Sequence, residues 1–384
     1  MVQLSLRNMN TTTIRPVLTS ADEMKFIKSQ WNFYKGDKNF VPPVIMDRQK
    51  LLNTKKNPFF KHSNMQLFLA ERDGAVVGRI GAITNDNHNE TYHDKIGFFG
   101  FFECENNQQT ADLLFNEAHK WLKERGMTHC RGPVNPSLND ESGLLVDGFN
   151  SPPVILMTYN PQYYMSLIEK TGYAKEKDLY AYLLENKTYM TDKMQRLVNV
   201  IRERHHITIR EVNFKNKTQF VKDVKTLKDI YNAAWEKNWG FVKMTDEEFD
   251  FLAADLKQIA DPTYALILEI NGEPAGFALA LPDINQSLIH NKNGGILGAG
   301  WHLLTKKKKI TLLRIIVLGV LPEHRRTGAD AVMYYELGKR GLSKGITHGE
   351  ASWILEDNQM MNRALTTTMN GKVYKTYRVY EKGL

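Results

Sequence analysis

Cysteine is nearly absent from this chain: only Cys104 and Cys130 occur among 384 residues, in contexts unlike a disulfide framework. That excludes the small disulfide-stapled secreted folds and makes a reducing cytoplasm the natural compartment. Long apolar runs are missing as well. The best candidate, 310–321, is short for a bilayer span and carries Arg314. The opening MVQLSLRNMN lacks the apolar core of a signal peptide. A cytoplasmic protein is expected, one that at most lies against the inner membrane. His205, His206, His290 and His302 have neither HxxEH nor HExxH spacing, so no metal site is expected. Zinc-finger, arginine-rich-arm and recognition-helix signatures are absent too, which argues against nucleic acid.

What the chain has is length and positive charge. Its 384 residues are long for one hydrophobic core, so two domains are the default. Lys and Arg outnumber Asp and Glu by 51 to 43, and the net charge of +8 suits an anionic cofactor or an anionic surface.

The chain also repeats itself. LFLAERDGAVVGRIGAI (67–83) and ALILEINGEPAGFALAL (265–281) align at a constant offset of 198, with Glu71, Gly74 and Gly78 falling on Glu269, Gly272 and Gly276. Both read as hairpins, because D-G and N-G are favoured turn dipeptides between apolar strands. Further on, Gly126, Thr128 and His129 meet Gly345, Thr347 and His348 at offset 219, which places about 21 extra residues between hairpin and helix in the second half. Each half reads as a helical region (20–35, 217–236), the hairpin, a strand (95–102, 311–320), a helix (108–125, 328–343) and another strand (127–131, 346–353). A duplicated fold follows. A helical linker at 187–204 sets the expected domains at 1–190 and 191–384.

The run VLGVLPEHRRTGADA (317–331) sets a buried strand, a basic turn and a helix start in immediate succession. Unpaired N–H groups at the helix start, with Arg325 and Arg326, would hold a phosphate or pyrophosphate. A plain strand, turn and helix with two wet arginines would carry the same letters.

Strand, anion loop, helix and strand after a hairpin resemble the acyl-CoA N-acyltransferase superfamily, the GNAT fold. The resemblance is carried by RRTGAD (325–330) after VLPEH (320–324), and it departs from the superfamily's pattern at Asp330, where Gly or Ala is usual. It implies an α/β (α+β) chain of tandem GNAT domains, each a mixed, mostly antiparallel sheet flanked by helices. At the corresponding positions of the first half stand Asn106, Asn107, Gln108, Gln109 and Ala111, so that half resembles a degenerate domain and one CoA site is expected. NPQYYMSLIEKTGY (160–173) keeps the superfamily's later helix and glycine-aromatic turn. Over nearly its full length the chain is similar to bacterial two-domain GNAT proteins of uncharacterised type, through NPSLNDESGLLVDGF (135–149), EASWILEDN (350–358) and YKTYRVYE (374–381), and more distantly to bacterial ceramide synthases.

The resemblance implies acetyl-CoA or a longer acyl-CoA as co-substrate. The pantetheine arm would pair with strand groups around Leu318 and Val320, with an N–H near Val320 facing the thioester oxygen. The pyrophosphate would sit on Arg325, Arg326, Thr327, Gly328, Ala329 and Asp330. Strand alternation separates Glu350, Ser352 and Ile354 from Ala351, Trp353 and Leu355. Glu350 is costly to bury unless paired, which makes it a general-base or amine-anchor candidate; an edge glutamate in a salt bridge is the alternative. Glu356, Asp357 and Asn358 either orient acceptor or cofactor, or cap the next helix. Where the superfamily places a tyrosine as proton donor the chain has Leu365, so Tyr377 on the closing strand is the substitute candidate, core packing being its other reading.

The insertion GGILGAGWHLLTKKKK (294–309) joins an apolar stretch to four lysines. Either it contacts an anionic membrane or an acyl chain, or it folds over its own domain. The expected function is an acyl-CoA-dependent N-acyltransferase acting on a small-molecule or lipid primary amine. The alternatives are a ceramide synthase-like sphingoid-base acyltransferase, a non-catalytic acyl-CoA-binding module and an aminoacyl-tRNA-dependent transferase.

Overall fold

The computed structural model describes residues 11–384; the reading of MVQLSLRNMN lies outside them. The chain divides into two compact units. One holds the chain up to Val146 with Thr158–Glu176 and Arg378–Leu384, and the other holds Asp147–Met157 with Lys177–Tyr377. The order of elements repeats near residue 190, but the units do not follow that cut, because two long strands contribute to both.

The strands run β1 (Thr13–Pro16), β2 (Ser63–Arg72), β3 (Ala75–Asn85), β4 (Ile96–Cys104), β5 (His129–Gly132), β6 (Val134–Asn135), β7 (Glu141–Ser142), β8 (Leu144–Asp147), β9 (Ala174–Glu185), β10 (Ile207–Glu211), β11 (Ala265–Ile270), β12 (Glu273–Pro282), β13 (Leu312–Val320), β14 (His348–Leu355) and β15 (Lys372–Gly383). In the first unit β1 to β4 pair antiparallel in sequence order, β5 joins β4 in parallel, and the end of β15 pairs antiparallel with β5. In the second, β10 to β13 pair antiparallel in sequence order, β14 joins β13 in parallel, and β9 pairs antiparallel with β14. Each unit is thus a mixed, mostly antiparallel sheet.

The repeated letters have a physical basis. Asp73 and Gly74 (φ 52° and 79°) match Asn271 and Gly272 (φ 53° and 84°), two left-handed residues in a row, as a two-residue hairpin turn requires. Both hairpins carry a bulge at the same place, between Ala70 and Glu71 and between Leu268 and Glu269. The repeated glutamates serve the fold: Glu71 accepts from Arg15 Nε at 2.9 Å and Glu269 from Arg210 Nε at 2.7 Å. The same arginines reach Asp22 and Asp223 on the following helices, at 2.7 and 3.0 Å. Thr128 and Thr347 likewise enter their strands through N–H bonds to Lys95 and Thr311 carbonyls.

Packing follows the two periodicities. Along β2, Leu67 and Leu69 face Phe26 and Ile27 of the helix Ser20–Phe33, while Phe68 and Ala70 face Leu114, Phe115 and Ala118 of the helix Gln108–Lys123. Cys104 and Cys130 are free and buried on neighbouring strands in that core; burial pushes both thiols up, Cys130 to about 12. Among the described residues no helix is long and apolar enough to cross a membrane.

The insertion of the second unit is ordered as a helix, Ile296–Lys306, ahead of Lys307–Lys309. It does not fold its large side chains onto its own domain: Leu297, Trp301 and Leu304 are 87, 66 and 85% exposed.

Candidate active site

The parallel ladder between β13 and β14 runs from Leu312↔His348 to Ile315↔Ala351 and stops, although the strands continue to Val320 and Leu355. Beyond that point Ile316 to Leu318 on one strand and Trp353 to Leu355 on the other are half-buried. Two strands that part in this way leave backbone groups on a sheet edge inside the fold, where an extended amide-bearing arm can pair with them.

The same place in the first unit is filled. There β4 and β5 pair only from Ile96↔His129 to Phe98↔Arg131, yet every residue of β4 is buried. The chain after β5 turns into the gap: Asn135 Oδ1 accepts from Phe101 N at 2.6 Å, and a Cβ on Gly100 would collide with the Val134 carbonyl. The buried charge there is consumed by structure, since Glu103 accepts from Tyr164 at 2.7 Å, Gln30 at 2.8 Å and Arg79 at 3.4 Å. Asn107, at the position that corresponds to Arg326, caps its helix by accepting from Thr110 N. Asp140 and Glu141 are likewise occupied within that unit, by Ser137 and by Arg48.

At the apex of the open gap lies a buried polar network. Glu350 is fully buried and opposite Arg314 in the ladder; its carboxylate accepts from Ser352 Oγ at 2.6 Å and from the Tyr374 hydroxyl, with Arg314 Nε 4.0 Å away. Arg314 also donates to Ser352 Oγ at 3.1 Å and to the Ile155 carbonyl at 2.9 Å. Burial pushes the Glu350 carboxyl above its ordinary range, opposed by Arg314, Ser352 and Tyr374. Nearby, burial carries Asp283 to about 7, against the hydrogen bond it accepts from Ile155 N at 2.9 Å. Lys375, fully buried, donates to the carbonyls of Gly148 and Ser151 at 2.5 and 2.8 Å, and burial lowers it to about 8. Tyr377 is fully buried too, and its hydroxyl has no hydrogen-bond partner among the described residues. It meets Trp353 edge to face at 6.4 Å, and the buried indole N–H likewise has no partner among the described residues. Such donors cost about 1–3 kcal/mol each unless something accepts from them.

Alternation along β14 does not hold as expected. Glu350, Ala351 and Ser352 are all buried, because the register against β9 shifts between Ala351 and Ile354.

At the far end of β13, Leu318 is half-buried and Val320 buried, and the chain passes through Pro322–His324 into the loop. Arg325 and Arg326 are exposed, and Arg325 Nη2 donates to the Ala234 carbonyl at 2.7 Å. Thr327 Oγ1 accepts from Ala329 N at 3.3 Å, and Gly328, left-handed at φ 81°, caps the helix Ala329–Ser343. Asp330 sits in the first turn, where burial raises its pKa against the backbone N–H groups of Asp330 and Ala331. Its carboxylate therefore uses donors of the kind a phosphate would need. Trp235 lies directly on β13, where a Cβ on Gly319 would collide with the indole. The polar end of β14 is structural: Glu356 accepts from Asp178 N at 3.0 Å, Asp357 pairs with Lys177 at 2.7 Å, and Asn358 caps the next helix through Met361 N at 3.2 Å.

Arg314 on β13, Asp283 just after β12, and Tyr374 and Lys375 on β15 reach this network through tertiary contacts that the sequence pattern does not announce. Arg314 interrupting an apolar run was the one available signal.

Comparison with known proteins decides the family. A "Bacterial ceramide synthase" of Caulobacter vibrioides is 36% identical over 380 residues, covering 97% of each chain. The chain belongs to this family of two-domain GNAT-fold proteins. A second member, "Protein YghO" of Escherichia coli, is 33% identical over 96% of this chain and 95% of its own. Among solved structures, a tandem GNAT protein from the clavulanic acid biosynthesis pathway superposes with TM-score 0.56 at 9% identity, covering 97% of this chain and 98% of that one. No family model matches the chain. The fold of this GNAT-family protein agrees with the tandem arrangement expected from its repeats.

Proposed function

We propose that the protein transfers an acyl group from acyl-CoA to the primary amine of a long-chain base, with the chemistry in the second unit. One observation carries the reading: β13 and β14 cease to pair beside Glu350, and β13 runs on into the loop 325–330. The relative named a bacterial ceramide synthase supports a sphingoid-base acceptor.

In this reading the pyrophosphate lies on Arg325, Arg326 and the N–H of Gly328, beside Thr327, Ala329 and Asp330, since the Thr327 N–H already donates to the His324 carbonyl at 3.1 Å and the Ala329 N–H to Thr327 Oγ1 at 3.3 Å. The pantetheine amides pair with β13 around Leu318, and an N–H near Val320 polarises the thioester oxygen. The amine nitrogen bonds to the thioester carbon, the C–S bond breaks with its electrons on sulfur, and one N–H proton leaves. Glu350 accepts that proton through the Tyr374 hydroxyl that already donates to it. Tyr377 donates a hydrogen bond to the departing sulfur; burial raises its own pKa, so the thiolate finally takes its proton from water.

Calorimetric titration with acetyl-CoA and palmitoyl-CoA tests the site. Arg325→Ala/Arg326→Ala should weaken binding roughly 10- to 100-fold, the worth of one or two charge-assisted phosphate contacts. Asp330→Ala removes the competing carboxylate and should tighten binding about tenfold. The site assignment fails if no acyl-CoA binds, or if the double variant binds as tightly as the wild type. Binding without thiol release in the presence of sphinganine or other amines would instead favour a non-catalytic acyl-CoA-binding module.

A further inference from the structure

The helix Ile296–Lys306 is built the wrong way round for a surface helix. An ordinary one buries its large apolar residues and shows polar ones to water. Here the small residue Ala299 is buried, while Leu297, Trp301 and Leu304, at helical spacings of four and three, stand 87, 66 and 85% exposed, with Ile296 at 51% beside them. Four successive lysines, Lys306–Lys309, close the segment. Between Asp283 and Glu323 the chain carries no carboxylate, and its five lysines in that stretch are Lys292 and these four. Asp283 itself is buried, and the helix Asn285–Leu288 packed against this one has no charged residue. The segment thus supplies no carboxylate to set against Lys306–Lys309, of which Lys307, Lys308 and Lys309 are exposed.

We propose that this helix docks the protein on an anionic bilayer surface, with Leu297, Trp301 and Leu304 entering the interface and Lys306–Lys309 meeting lipid phosphates. The chemistry fits that occupant. Exposed leucines flanking a tryptophan suit the boundary between headgroups and acyl chains, and lysines at one end of the apolar face suit an anionic leaflet. A second copy of the chain fits less well. A two-fold contact through this face would bring two lysine runs into one interface with no carboxylate in the segment to pair them. The inference does not rest on the acyl-transfer reading and stands or falls separately.

Co-sedimentation of the full chain with vesicles of phosphatidylcholine, with and without phosphatidylglycerol, tests it. Binding is expected to the anionic vesicles and to drop at high salt. Leu297→Ser/Trp301→Ser/Leu304→Ser should reduce it at least tenfold, and Lys307→Gln/Lys308→Gln/Lys309→Gln roughly fivefold for each lysine removed. Vesicles with brominated acyl chains should quench part of the tryptophan fluorescence, and Trp301→Phe should remove that quenching. All the substituted side chains lie on the exposed segment, so unchanged melting temperatures are expected. The proposal is overturned by failure to pellet with anionic vesicles, by binding that the triple variants leave unchanged, or by a dimer in light scattering that the apolar variant disperses while vesicles are ignored.

Discussion

Replacing Glu350 by Gln should lower turnover of palmitoyl-CoA with sphinganine by about 10²- to 10⁴-fold, the usual contribution of a positioned general base, and leave acyl-CoA affinity within about twofold. Glutamine keeps the shape of the side chain and one oxygen to accept from Ser352 or Tyr374, but it cannot take up a proton. The pH profile separates this role from a structural one. In the wild type the carboxyl must be ionised to act, and burial holds it above the ordinary carboxylate range, so activity should rise with pH through a limb displaced upward from about 4.5. The variant's residual activity should lack that limb. Tyr374→Phe should lower turnover as well, because Glu350 is fully buried and the half-buried Tyr374 hydroxyl is its proposed route to the amine. Thiol release by wild type and variants from pH 5 to 9 provides the measurement. Unchanged turnover in Glu350→Gln sinks the assignment, and so does a loss of turnover matched by loss of acyl-CoA affinity and of melting temperature.

What could be read from the letters, and what could not, divides along the range of the interactions. The hairpins were legible because D-G and N-G state their own backbone conformation, two left-handed residues in a row. The paired strands followed from apolar runs. The Arg314–Glu350 network was not legible in full, since its members stand on β13, β14 and β15 and in the 147–157 segment, and nothing local announces that Arg314 faces Glu350. The insertion helix escaped for a different reason. Its N-terminal residue Gly295 supplies no side-chain cap, and its apolar face points outward, so neither capping nor binary pattern marks it as an ordered helix. In the first half the sequence shows neither the arginines nor the central glycine of the 325–330 loop. The physical closure, Asn135 and Val134 filling the gap beside β4, depends on a contact that spacing alone does not reveal.

Arg314→Met should destabilise the protein by about 3–5 kcal/mol near pH 8, because the apolar replacement fills the space but leaves Glu350 buried without its cation. Arg314 is itself almost wholly buried and, besides facing Glu350, binds Ser352 and the Ile155 carbonyl and lies 5.1 Å from the Trp353 ring. The size of the loss should depend on pH in a direction fixed by the sign of the Glu350 shift. Its folded pKa is raised from 4.5 by burial, and Arg314 is the strongest of the influences pulling it back. Removing Arg314 therefore raises the folded pKa further. Between 4.5 and that value the folded variant holds a proton that the unfolded chain has released, so its stability falls as pH rises through the window and is best preserved below it. Calorimetric melting of wild type and variant should show a gap on the order of 10 °C near pH 8 that narrows toward pH 5. An equal gap at both pH values would mean that the loss comes from the contacts to Ser352 and Ile155 rather than from an unpaired charge. No gap at all would mean that Glu350 is already neutral in the folded protein, and it would then be unable to serve as the base until something in the bound complex lowered its pKa.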